Sequence, residues 1–105
     1  MRRGEVWWAE LPAPVGGRPV LLLSRDAAYR VRTSVTVGAI TRTIRSIPVE
    51  VPLGPEDGMG SRCVVNLDDI LTVPKSCLTR RLTMLSGDKM AAVGKAIAFA
   101  LDLTL

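Results

Sequence analysis

Apolar and polar positions alternate over short spans through most of the chain, and the period changes only near its end. Residues 4–11 (GEVWWAEL) alternate enough, with valine and two tryptophans, to predict a first strand. PAPVGG (12–17) then reads as a turn-forming connection. Residues 18–24 open with Arg18 and continue with an unbroken apolar run over 19–23, the pattern of a strand buried on both faces. A polar, arginine-bearing stretch follows as far as Arg32. SVTVGAIT (34–41) is β-branched and predicts another strand, ending before the loop RTIRSI. PVEVPL (48–53) reads as a half-buried strand near an edge, given its two prolines, and GPEDGMGS (54–61) as loop. RCVVNL and ILTVP predict two short strands parted by Asp68 and Asp69. In the tail, Met90, Val93, Ile97 and Leu101 recur at helical spacing, with Ser86 as N-cap and Asp88 in the first turn. Short strands followed by one amphipathic helix, with no βαβ alternation, predict a mainly β (α+β) class: a small antiparallel barrel with a packed C-terminal helix.

The chain's 105 residues suit a single domain over 1–105, and its hydrophobic share of 48% allows one core without staples. Cys63 and Cys77 lack CxxC spacing and there is no histidine, so a disulfide framework or zinc site is not expected; both cysteines read as small, reduced core residues. The Met1-Arg2-Arg3 start runs into Gly4-Glu5 with no signal-peptide apolar region, and no apolar run is long enough to span a bilayer. A soluble cytoplasmic protein with no membrane association is expected. The lack of histidine also excludes Ser-His and Cys-His nucleophilic pairs, and no Walker loop or GxGxxG is present.

Charge sharpens the picture. Fourteen basic residues stand against ten acidic ones, and eleven of the fourteen are arginine, the side chain suited to bidentate contact with phosphate or carboxylate. Arg18, Arg25, Arg30, Arg32, Arg42 and Arg45 fall at strand ends and loops around the second and third strands. Two readings follow. The arginines are scattered surface charges with Trp7 and Trp8 in the core or an interface, or they form a basic face where Tyr29 or a tryptophan stacks bases. Arg18 poses the question most sharply, because an arginine at the mouth of a core strand is costly to bury unpaired. Either it snorkels to water or something anionic sits there. Asp68-Asp69 is the one tight acidic pair, either a solvated turn or a source of separate functional roles.

The ordered segments RRGEVWWAEL, RPVLLLS, VTVGAIT, CVVNLDDILTVPKSCL and RLTMLSGDKMAAVGKAI resemble the MazF/PemK toxin family nearly end to end. That resemblance implies an SH3-like β-barrel with a C-terminal helix, a homodimer, and the toxin of a toxin–antitoxin pair: a sequence-specific endoribonuclease acting on single-stranded RNA and held by a cognate antitoxin. It implies that Arg18, opening the RPV strand, and Thr41, closing VGAIT, share the catalytic site, and that Asp68 occupies the family's acidic position. Asp69 and Leu71 stand where the family pattern has glutamine and arginine, and PAPVGG is shorter than the usual loop before Arg18.

Such a site needs no protein nucleophile, because RNA carries its own 2′-hydroxyl. Arg18 is expected to hold the phosphate, Thr41 to bond a phosphate oxygen or orient the hydroxyl, and Asp68, or alternatively Glu5, to act as general base. Arg25, Arg42, Arg45 and Glu5 complete the expected RNA-binding set, and no metal or other cofactor is expected. A CcdB-like gyrase-poisoning toxin and a plain SH3-like interaction module remain the alternatives.

Overall fold

The computed structural model describes residues 1–104. Six antiparallel strands form one curled sheet: β1 (Glu5–Glu10), β2 (Gly17–Leu22), β3 (Ser34–Thr41), β4 (Glu50–Leu53), β5 (Cys63–Pro74) and β6 (Leu78–Met84), in the order β4-β5-β3-β2-β1-β6. A one-turn helix, α1 (Ala28–Val31), interrupts the β2–β3 connection, and α2 (Gly87–Ala100) closes the chain. This is the small antiparallel architecture with a C-terminal helix expected from the alternation, curled as a half-barrel with β4 and β6 as its open edges.

Both faces of the sheet are buried, which is why its central strands read as apolar runs. One core joins Val6, Leu21, Ile40, Val65 and Leu67 to Val93 and Ala96 of α2. The other joins Ala9, Val20, Leu22, Val35, Val37 and the ring of Tyr29. Ser86 caps α2, its hydroxyl accepting from the Lys89 N–H at 3.2 Å. The helix ends at Ala100, so Leu101 lies at its C-cap, exposed, rather than on the packed stripe.

Three elements depart from the sequence reading. Residues 78–84 (LTRRLTM) form an edge strand that the pattern hides, because its exposed Thr79, Arg80 and Arg81 break the alternation and its pairing with β1 shifts register twice. The polar stretch after β2 contains α1, held by its buried tyrosine. The third departure matters most for the site. RCVVNL and ILTVP are one strand, β5, and Asp68-Asp69 does not part them. Ala39 pairs with Asn66 and Gly38 with Ile70, so Leu67, Asp68 and Asp69 bulge out of the β3–β5 ladder. Gly38 fits this bend: a Cβ there would lie 3.1 Å from Val65 and 3.3 Å from Leu67. Leu67 turns into the core and its N–H donates to the Val49 carbonyl at 2.8 Å, while both aspartates stay exposed.

Candidate active site

β2 and β3 pair Val20 with Ala39, and the same register carried two residues further sets Arg18 opposite Thr41. Neighbouring strands lie about 5 Å apart, so the guanidinium and the hydroxyl start from adjacent backbone positions on one face. Across β3, the β5 bulge delivers Asp68 and Asp69 to the same end of the sheet. The result is a polar cavity of about 340 Å³ whose lining includes Arg18, Thr41, Arg45, Asn66, Asp68 and Asp69. The expected catalytic trio of Arg18, Thr41 and Asp68 therefore shares one cavity, and Arg45 joins it.

The site is held by short local bonds. The Thr41 hydroxyl accepts from the Thr43 N–H at 3.1 Å, and the Asn66 side-chain carbonyl accepts from the Asp68 N–H at 3.0 Å. Glu50 fixes the arginine-bearing loop after β3, its carboxylate accepting from the backbone N–H groups of Arg45 and Ser46, each at 2.9 Å. Arg18 is different. Its Nε is buried and has no hydrogen-bond partner among the described residues. A buried donor without an acceptor is costly, and more so on a cation, so this group fits a place where an anion arrives. Among the described residues no three Cys, Asp or Glu side chains gather as a metal-binding group.

A second cavity, of about 490 Å³, lies at the same end on the other face of the sheet, where Ile40 and Arg42 alternate with the Ala39 and Thr41 of the first. Arg18 and Thr41 line both, and Arg42 sits here rather than beside Asp68. Trp8, Met59, Leu82 and Arg80 form its other walls.

The family model for PemK-like, MazF-like toxins of type II toxin–antitoxin systems matches residues 2–101. The chain belongs to this family. Its PemK/MazF-like relatives include the probable endoribonuclease MazF5 of Mycobacterium tuberculosis, 43% identical over 95% of this chain and 92% of that one. The probable endoribonuclease MazF2 of the same organism is 46% identical over 82% and 83%. Among solved structures, the Mycobacterium tuberculosis toxin MazF-mt6 superposes with a TM-score of 0.89 at 34% identity, covering 96% of this chain and 99% of that one. A mycobacterial endoribonuclease in complex with its cognate antitoxin gives 0.88 at 31%, covering 100% and 98%.

In this MazF-like chain two expected RNA contacts lie elsewhere. Glu5 is at the opposite end of β1 from the residue that pairs with Arg18, and it is almost fully buried. Its carboxylate accepts from Arg81 Nε at 2.9 Å, Trp7 Nε1 at 3.0 Å and the Arg2 N–H at 2.9 Å. Burial pushes the carboxyl pKa upward, but those hydrogen bonds outweigh it and hold the group below its ordinary value. A base so bonded is a clamp for the N-terminus and β6, not a free proton acceptor. Arg25 lies beyond the far end of β2, with the length of that strand, roughly 20 Å, between it and the site. Tyr29 is no stacking platform either: it is buried, its hydroxyl donates to the Ser24 carbonyl at 3.0 Å, and burial followed by nearby Asp26 pushes its pKa up to about 12.

The sequence reading missed Asn66, Asp69, Met59, Leu82 and Arg80 as cavity residues. Asp69 follows from placing Asp68 on a bulge. Arg80 follows only from recognising β6, whose register sets it opposite Trp8.

Proposed function

We propose that this toxin cleaves single-stranded RNA through the 2′-hydroxyl adjoining the scissile phosphate, with Arg18, Thr41 and Asp68 as its catalytic residues. The observation that carries the assignment is the unpartnered Nε of Arg18, buried in a cavity that also holds a hydroxyl and two carboxylates. Arg18 offers a planar fork of donors to the non-bridging phosphate oxygens, where charge grows in the transition state. Thr41 hydrogen-bonds the phosphate or aligns the reacting hydroxyl. Asp68, exposed at the bulge, takes the 2′-proton. The 2′-oxygen bonds to phosphorus as the bond to the 5′-oxygen breaks, and that oxygen leaves with a proton from solvent. The products are a 2′,3′-cyclic phosphate and a 5′-hydroxyl. Arg42 and Arg45 hold the strand on either side.

The same family membership supports a cognate antitoxin as partner, an acidic segment that folds across the basic face and excludes RNA. It also supports a homodimer acting in the cytoplasm. Phe99 and Leu101, exposed at the end of α2, supply apolar surface for an interface. No helix among the described residues is long and apolar enough to cross a membrane. The endoribonuclease names of the relatives favour this reading over a gyrase-poisoning toxin or a plain interaction module.

Mapping new ends in a long RNA incubated with the purified protein and excess EDTA tests the proposal. Discrete internal cuts bearing cyclic phosphate are expected, with resistance where the nucleotide at the cut is 2′-deoxy. Strict dependence on added magnesium, or equal cutting at a 2′-deoxy position, would overturn the mechanism.

A further inference from the structure

The loop between β3 and β4 brings Arg45 to the wall of the cavity that holds Arg18 and Asp68, yet it has no core of its own. Every residue from Arg42 to Pro48 is exposed, Ile44 and Ile47 included, so no buried side chain fixes where the loop runs. Hydrogen bonds at its two ends do that instead. At the β3 end the Thr41 hydroxyl accepts from the Thr43 N–H. At the β4 end a single oxygen of Glu50, Oε1, accepts from both the Arg45 and the Ser46 N–H, each at 2.9 Å. The Glu50 N–H in turn donates to the Ile47 carbonyl at 3.0 Å. Ser46 stands at φ +56°, a left-handed conformation uncommon for a residue other than glycine. We propose that Glu50 is a positioning residue for RNA cleavage: it clamps the backbone of residues 45 and 46 and so holds Arg45 at the cavity wall before RNA arrives. This rests on the RNA-cleaving reading and adds to it a residue outside the cavity on which RNA affinity depends.

The place of Glu50 in the sheet suits it to this task. It begins β4 and pairs with Asn66 of β5, whose side-chain carbonyl accepts from the Asp68 N–H at 3.0 Å. One residue earlier, the Val49 carbonyl accepts from the Leu67 N–H inside the bulge. The start of β4 therefore fixes the carboxylate-bearing bulge through its backbone and the arginine-bearing loop through the Glu50 side chain. Glu50 makes no ion pair with Arg45 or any other cation among the described residues, so the guanidinium stays available to a phosphate. An exposed arginine on an unclamped loop has to be ordered as RNA binds, and that ordering counts against affinity. The clamp removes part of this cost. Because both bonds go to one oxygen, the role asks for reach and an acceptor rather than for negative charge.

The test separates binding from cutting in the intact protein. Affinity is measured with a 2′-O-methyl oligonucleotide, which cannot be cut, and cleavage by single-turnover rates on the matching RNA with one mapped cut site. Glu50→Ala should weaken binding and raise the half-saturating RNA concentration about three- to tenfold, while the rate at saturation changes less than about twofold. The slope of log affinity against log salt should shrink by about 0.7, the share of one single-strand phosphate contact. Glu50→Gln keeps Oε1 and should stay near wild type. Glu50→Asp keeps the charge but is one methylene too short, and should resemble Glu50→Ala. Arg45→Ala should weaken binding at least as much, and the double variant should be no worse than Arg45→Ala alone, because Glu50 acts through Arg45. Hydrogen exchange at the Arg45 and Ser46 amides should quicken in Glu50→Ala and Glu50→Asp but not in Glu50→Gln. Glu50 lies half-buried on an edge strand, and the contrast between Asp and Gln reports even if Glu50→Ala fails to fold. Wild-type affinity in folded Glu50→Ala, or losses that add in the double variant, would overturn the positioning role while leaving RNA cleavage intact. The expected order of affinities in a protein that cuts no RNA would retain the role and sink the catalytic reading instead.

Discussion

The two ends of the sheet carry similar residues and treat them oppositely. At one end Glu5 is bonded to Arg81, Trp7 and Arg2, Arg3 reaches the Leu23 carbonyl and Asp26, and Lys75 donates to the Tyr29 carbonyl. These groups have found partners within the chain. At the other end Arg18 keeps a buried Nε without an acceptor, and Asp68 and Asp69 point from a bulge with no ion pair among the described residues. The first arrangement fastens the N-terminus to β6; the second leaves charge available for an incoming group. Side-chain type does not separate the two ends. Satisfaction of the buried charged group does: Glu5 has its partners, and Arg18 Nε has none among the described residues.

The sharpest way to break this comparison is Arg18→Ala. It should lower RNA cleavage on the order of 100-fold or more, because the transition-state charge loses its fixed donor. Thermal melting should shift little, since the removed Nε had no partner to lose. Arg18→Lys should recover only part of the activity, as an ammonium lacks the planar fork. Wild-type cleavage by folded Arg18→Ala would mean the open end is not the active site. Thr41→Val comes next: it keeps the shape, and cleavage should fall clearly but by less than for Arg18→Ala, read from single-turnover rates on one RNA.

At the closed end the expected effects are on stability. Glu5→Ala should cost about 1–3 kcal/mol, since it leaves Arg81 and the Trp7 indole without their acceptor. Denaturant melts would measure this, and cleavage per folded molecule should be retained. The pH dependence has a definite sign. Glu5's folded pKa lies below its ordinary 4.5, so its contribution is complete above about that pH and is lost as pH falls through the lower, folded value. Glu5→Gln should flatten that acid-side loss; an unchanged acid limb would show that the carboxylate is not the clamp described. The smallest effect belongs to Arg25→Ala, which should leave both cleavage and stability near wild type. A large loss of cleavage there would extend the functional surface to the closed end.

How much was legible in the sequence follows this same division. β3 and the capped helix α2 were readable because local pattern and burial agree: Val35, Val37 and Ala39 share a face, and Ser86 caps as its type suggests. Arg18 stood out because its charge contradicts the apolar run it opens, and a contradiction of that kind survives without coordinates. Arg25 and Glu5 misled because sequence gives side-chain type and order along the chain but not which end of a strand a residue occupies, nor whether its hydrogen bonds are already taken. β6 and its Arg80 were hidden for a related reason. An exposed edge strand with shifted register carries no period, so the wall of the larger cavity could not be read before the strand was seen.

The bulge in β5 has a further consequence for control. Ladder pairing continues on both sides of it, so Asp68 and Asp69 are displayed by a strand rather than by a free loop. Pairing on either side holds such a display in place, so the two carboxylates are presented before any ligand arrives. An inhibitor that covers these carboxylates then acts by occupancy and works as long as it stays seated. The speed with which activity returns would accordingly track the departure or destruction of that inhibitor.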